Sequence, residues 1–505
     1  MQQMEQPVGT FEKENPGITV KFDTLPEDQK RAEICLPATP SHRCGGSFMS
    51  YLRFRPRVLG AIGCAAALVA VAACSSGSTS GSGSSSGVVT VAVVSNPLIT
   101  GQMIPLAKSN FEKQNPGITV KFATYTEADL RAAIEKDVST HTNSFNVIMI
   151  GPYETPLFAK NGWLDNLSTQ FIAHQPSYDA SDLLPPIAKS LSYKSDLYAV
   201  PFYGESSMLY YRKDLFAKAG ITMPLHPTWA QVQSFAARLN QPGKVAGVCL
   251  RGLAGWGDNM ASLDTVINTF GGEWFNEKWQ PQLTSPADEQ ATNFYVNLVR
   301  KYGETGASND SFNQLLTLYG QGKCAMWYDA TVAATSITGS YPAIAAKTGY
   351  AFAPVDRTKS SGWLWTWSLG IPKGVANQSD AWKFVSWATS KSYDRLVAAK
   401  YGWAAVPPGT RTSLYNTPQY QKAAKAFAGI TLASIDSTDP LHPTVNPVPY
   451  VGVQFVDIPQ FETLGVQVGQ QIAGAIAGTE TVSQALKTSQ SDAAAFTPQE
   501  LAGGQ

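Results

Sequence analysis

The chain has 505 residues, with 38 Lys and Arg set against 38 Asp and Glu, so its formal net charge is zero. Charged residues make up 15% and aromatic residues 11%, which leaves no basic stripe to neutralise nucleic-acid phosphates. The histidines are scattered, and no His-Glu-x-x-His zinc helix, Gly-x-Ser-x-Gly elbow, Walker loop or dinucleotide glycine fingerprint occurs, so no cofactor, metal or catalytic signature is expected.

The first 48 residues contain FEKENPGITVKF, Phe11 to Phe22, which recurs as Phe111 to Phe122 with Gln114 in place of Glu14. One partial copy does not make a solenoid. The expectation is that Met49 is the working start and that 1–48 is a spurious or duplicated extension. Arg53, Arg55 and Arg57 then lead into an apolar, small-residue run from Val58 that ends Val71-Ala72-Ala73-Cys74. Basic, apolar and small-residue regions in that order describe a secretory signal peptide over 49–73. A cysteine after the small residues resembles the bacterial lipobox, which implies lipidation of Cys74 and a protein held outside the cytoplasm at the cell membrane. A transmembrane anchor is the alternative, but a run of about 16 residues falls short of the roughly 20 that a bilayer needs. Residues 75–87 are all Ser, Thr or Gly, a flexible tether that spans about 20 Å root-mean-square.

About 430 residues follow Cys74, more than one small core organises, so two lobes are expected. A β-branched run predicts a buried parallel strand over 88–94. A helix over 104–111 follows, closed by Asn115-Pro116-Gly117, and a strand over 118–122. Thr126 suits the N-cap of a helix through 138, with Leu130, Ile134 and Val138 along one face. Residues 145–150 read as the next strand, so the opening is an α/β unit with a parallel sheet. Ligands of such sheets bind beyond the carboxyl ends of the strands. That puts Asn96, after the first strand, and Tyr153 and Glu154, after the third, on the rim of a cleft; for Tyr153, packing within its own lobe is the alternative.

Four later segments carry a resemblance. They are LYAVPFYGESSMLYYRKDLF (Leu197 to Phe216) with Thr228-Trp229, GKCAMWYD (Gly322 to Asp329), WTWSLGIP (Trp365 to Pro372) with Asp380 to Phe384, and Gln470 to Leu486 ending TVSQAL. In this order they resemble the extracellular solute-binding proteins of sugar ABC transporters, over essentially all of 88–486. The segments around Cys249-Leu250-Arg251-Gly252, Gly255 to Asn259 and Met326 to Thr331 look most like the branch that binds sorbitol and mannitol. The resemblance implies an α/β, two-lobe periplasmic-binding-protein-like fold with hinge crossings and an interlobe ligand cleft. Lobe 1 takes 88–203 and 366–445, lobe 2 takes 204–365 and 446–490, and 491–505 is a tail. It implies a monomeric receptor that captures a polyol or sugar and passes it to the permease subunits of an importer. A disaccharide or oligosaccharide ligand is the alternative, with a secreted carbohydrate-active enzyme behind it.

A polyol offers a hydroxyl on nearly every carbon, and each buried one needs a partner. Carboxylates and amides supply those partners, while flat aromatic rings pack the C–H faces. Glu205 at the first crossing, Trp256, Asp258 and Asn259 on one glycine-flanked loop, Trp327 and Asp329 on a strand, and Trp365 and Trp367 at the second crossing have that chemistry. A core position is the alternative for Trp327 and for one of Trp365 and Trp367; Trp382 and Trp387, at helical spacing, read as core. Asp329→Ala or Trp256→Ala is expected to weaken binding without unfolding the protein. Cys249 and Cys324 are the only cysteines after Cys74, and in an exported protein they suggest one disulfide; two buried thiols are the alternative.

Overall fold

The computed structural model describes residues 87–503, together with the backbone of Thr19–Phe22 and Ala32–Cys35. Those two short strands pair antiparallel, Thr19 opposite Cys35. The signal peptide, Cys74 and the tether through residue 86 lie outside the described residues. Among the described residues no helix is long and apolar enough to cross a membrane.

Two sheets organise 87–503. Their strands are β1 (Gly87–Val94), β2 (Ile118–Tyr125), β3 (Val147–Ile150), β4 (Ala199–Glu205), β5 (Ser207–Arg212), β6 (Met326–Ala330), β7 (Thr348–Phe352) and β8 (Trp365–Gly370). The first sheet runs β2-β1-β3-β8-β4. Both neighbours of β1 are parallel to it, as the opening α/β unit requires, whereas β8 is antiparallel to β3 and β4. Val89, Val91, Ala92 and Val93 of β1 are wholly buried, because both faces of the strand are covered. Each buried valine contributes roughly 1.5–3 kcal/mol relative to one left in water. Helix α1 (Glu127–Thr140) starts at Thr126, whose hydroxyl accepts from Asp129 N, and buries Leu130, Ile134 and Val138 as its pattern predicts. It also buries Arg131 and Asp137, which the apolar pattern does not predict. Helix α2 (Glu154–Lys160) follows β3 directly. The helix expected over 104–111 lies inside a longer helical run, 99–114, with widened turns.

The second sheet, β6-β5-β7, is antiparallel throughout. Trp327 of β6 stands opposite Tyr210 of β5, and the two rings stack with centroids 5.1 Å apart. Tyr328 of β6 donates to Thr265 of α3 (Ala261–Phe270), α4 (Pro286–Tyr302) packs on α3, and α5 (Phe312–Gly320) packs on β6. A disulfide joins Cys249 to Cys324 across a separation of 75 residues. Loop closure of that length is worth about 4.5 kcal/mol in the chain-entropy model. The chain changes sheet at Ser206, the single residue between β4 and β5, and returns between Phe352 and Trp365. Ser206 is pinned there by Thr331, which accepts from Ser206 N at 3.1 Å and donates its own N–H to Ser206 O at 2.8 Å. Trp365 pairs with Glu205, so Gly204, Glu205 and Trp365, expected on the second lobe's side, belong to the first sheet.

The C-terminal segment is two helices. Helix α6 (Phe461–Ala477) stops at Gly478, whose φ of 82° suits glycine, and α7 (Val482–Ala493) restarts behind a Thr481/Gln484 capping box. The stretch from 491, expected as a tail, continues into a further turn of helix, Pro498–Gly503, that buries Leu501 completely.

Candidate functional site

A cavity of about 230 Å³ lies between the two sheets. One side is built by the end of β4, the start of α1 and strand β8; the other by the loops around Arg251, Trp256 and Ser311 and by Trp363. Successive residues of a strand alternate in direction, so Trp365 and Trp367 share a side and both line the cavity. Trp363 continues the same spacing and was not anticipated. Trp256 closes the aromatic wall from the opposite loop, its ring edge-on to Trp365 at 5.7 Å. Glycine is required at the end of β3, since a side chain at 151 would run into the Trp365 indole.

Two buried guanidinium groups hold the polar side together. Arg131 donates from Nε to Glu154 at 2.9 Å and from Nη1 to Glu127 at 2.6 Å, and its Cζ lies 3.9 Å from the Trp256 ring centre. Burial opposes its charge, yet Glu127, Glu154 and Glu462 outweigh burial and keep it firmly protonated. Arg251 donates to Asp329 from Nε at 3.1 Å and from Nη2 at 2.5 Å, and from Nη1 to Gly257 O at 2.6 Å. Gly257 therefore sits between the two arginines: a Cβ there would strike the Glu127 carboxylate and stand 2.8 Å from Arg131 Nη1.

Three lining residues keep a buried polar atom without a partner in the protein: Arg131 Nη2, a donor, and Glu205 Oε2 and Gln454 Oε1, both acceptors. Glu205 is 5% exposed, and burial pushes its carboxyl well above the usual range although Arg251 pulls the other way. Asp258 accepts a short hydrogen bond from the Ser311 hydroxyl; burial, then the charge of Glu127, pushes it up to about 6. An unsatisfied buried polar group costs about 1–3 kcal/mol, so these atoms favour a ligand rich in groups that both donate and accept.

Of the residues expected at the site, Asn96, Glu205, Trp256, Asp258, Trp365 and Trp367 line the cavity. Asn96 has largely spent its amide: Oδ1 accepts from Leu98 N and Ile99 N, and Nδ2 donates to Tyr203 Oη. The others stand behind the wall. Tyr153 donates to Ile458 O at 3.0 Å and packs on Trp256, and Glu154 is occupied by Arg131 and Gly151 N. Asn259 ties its loop to α6 through Gly469 O at 2.8 Å. Trp327 is core, packed between Tyr210 and Tyr319, and gives its Nε1 hydrogen to Asp329. Asp329, wholly buried, faces Arg251 and not the cavity. Arg131, Arg251, Trp363 and Gln454 were missed. The i, i+4 spacing of Glu127 and Arg131 was a readable signal for the first; nothing local marks Gln454. Trp382 and Trp387 pack away from the cavity, on Phe171 and Phe111, as expected of core.

Residues 96–395 match the bacterial extracellular solute-binding protein family. A mannitol-binding protein of Pseudomonas aeruginosa is 44% identical over 410 residues, 80% of this chain and 92% of that protein. An ABC transporter solute-binding protein from Agrobacterium vitis, crystallised with bound D-mannitol, superposes with a TM-score of 0.79 at 48% identity, over 81% of this chain and 98% of that one. At 22% identity, an Agrobacterium radiobacter solute-binding protein in complex with ribitol shares the fold, with a TM-score of 0.71 over 81% and 99% of the two chains. The sheet order, the cavity between two lobes and these likenesses agree: the chain belongs to the bacterial extracellular solute-binding protein family.

Proposed function

We propose that the protein captures a linear polyol of the mannitol or sorbitol kind between its two lobes and delivers it to an ABC importer. The observation that carries this reading is the pairing of indoles on both sides of the cavity, Trp365 and Trp367 facing Trp363, with unpartnered polar atoms on Arg131, Glu205 and Gln454. The aromatic faces suit C–H groups, and the polar atoms suit hydroxyls. A volume of about 230 Å³ lies below the roughly 300–1,000 Å³ of pockets for drug-sized ligands, which favours one six-carbon polyol over a disaccharide or oligosaccharide.

Around this site we assign hinge crossings near 200–205 and 353–368, a later return near 446–452, and closure by hinge bending on the ligand. The protein releases its ligand unchanged and is not an enzyme. A lipid on Cys74 and the tether after it hold the receptor, as a monomer, within reach of permease subunits. A thermal-shift panel of hexitols, pentitols, hexoses and disaccharides tests the reading. A ligand at one hundred times its Kd adds about 2.7 kcal/mol to stability. The expected result is a rise in Tm with mannitol or sorbitol and none with disaccharides; a flat response to every polyol contradicts it.

A further inference from the structure

The charges around the cavity do not balance. Glu127, Glu154, Glu205, Asp258, Asp329 and Glu462 act on only two guanidinium groups, those of Arg131 and Arg251. Asp329 saturates Arg251, while Glu127 and Glu154 share Arg131. Of the carboxylates lining the cavity, Glu205 and Asp258 are left over. Asp258 has the Ser311 hydroxyl, but Glu205, which lines the cavity and is 95% buried, keeps an oxygen with no partner in the protein. Neither arginine has charge to spare for an incoming anion, and the tryptophan faces add a surface that attracts cations.

We infer that the cavity takes a second ligand class, alditols with a protonated amine in place of one terminal hydroxyl, and rejects the corresponding aldonates. The inference rests on the polyol reading above. An ammonium donates three hydrogens and accepts none, which suits the free acceptor on Glu205. The hydroxyls along the rest of the chain serve the free donor on Arg131 and pack on the indoles, so a simple amine without hydroxyls does not suffice. Burial favours the neutral form of Glu205; an ammonium beside it restores the ionised form, whereas a terminal carboxylate brings a further anion beside Asp258 and Glu205 with no unpaired guanidinium to offset it.

Isothermal titration of the whole protein with D-mannitol, 1-amino-1-deoxy-D-mannitol and D-mannonate tests this. Mannitol is two-fold symmetric, so one amine and one acid sample both ends. The amine is expected to bind within about tenfold of mannitol or more tightly, and mannonate at least about a hundredfold more weakly. In Glu205→Gln the amine is expected to lose at least about tenfold more affinity than mannitol does, because only the amine needs the charge. Mannitol binding with the amine more than about tenfold weaker overturns the inference and leaves the polyol reading intact. An unchanged amine-to-mannitol ratio in Glu205→Gln overturns the assignment to that carboxyl. Binding of none of the three overturns both readings. If Glu205→Gln does not fold, as judged by circular dichroism, the three wild-type titrations decide alone.

Discussion

Asp329 serves the cavity without touching it. Its two oxygens accept from Arg251, from Trp327 Nε1 at 3.1 Å and from Ala330 N at 2.7 Å, and this fixes the plane in which Arg251 reaches Gly257 O. Removing the carboxylate leaves a buried guanidinium unpaired, which costs about 3–5 kcal/mol. Asp329→Ala is therefore expected to lower Tm clearly in a calorimetric scan, a revision of the expectation that it would weaken binding alone. An unchanged Tm would contradict the role given to this pair. Trp256 is revised in the same sense. It is 2% exposed, gives its Nε1 hydrogen to Glu462 at 2.9 Å and covers Arg131, so Trp256→Ala opens a core cavity as well as a site. The reason this was not readable is chemical: a carboxylate beside an aromatic residue looks the same in sequence whether it faces a ligand or an arginine 78 positions away.

At the scale of elements, the opening unit was legible because its signals are local. The valine run of β1, the Thr126 cap and the 130, 134, 138 spacing of α1 each depend on neighbours in sequence. The arginine networks depend on loops from different elements meeting across the cleft. Gly257 packs directly on Glu127 and Arg131, and Gly257→Ala is expected to displace Arg131 and weaken polyol binding by at least about tenfold in a titration. Wild-type affinity in that variant would contradict the packing of Glu127 against this loop. A second element carries a pH dependence. At the start of α4, Asp288 is wholly buried; its Oδ2 accepts from Ser285 Oγ at 2.5 Å and from Glu273 N at 3.2 Å. Burial pushes it from the usual 3.8 up to about 7, and neighbouring Asp264 is pushed up by burial too. Between these values the unfolded chain has lost the Asp288 proton and the folded chain keeps it, so stability falls as pH rises through about 4 to 7. Denaturant titrations are expected to give a higher midpoint near pH 5 than near pH 8, and Asp288→Asn to flatten the difference. A midpoint that rises over this range contradicts the assignment.

At the scale of the molecule, two sheets joined by a one-residue crossing at Ser206 and a longer return leave the cavity as the place where both meet. That the chain crosses between sheets in this segment was legible because the segment is a contiguous motif. The exact partition was not, since β8 and the end of β4 pair with each other by register, and register is a tertiary property. Cys74→Ala is expected to move the protein from the membrane fraction to the soluble fraction of the producing bacterium, and retention in the membrane fraction would argue for a different anchor. If the cleft is a polyol receptor sized for one six-carbon chain, isothermal titration of the purified protein with D-mannitol and maltose distinguishes the two compounds at once. The expected result is one saturable site for mannitol with a Kd near micromolar, roughly −8 kcal/mol, mannitol recovered unchanged, and no heat from maltose. Saturable binding of maltose with none of mannitol would contradict it.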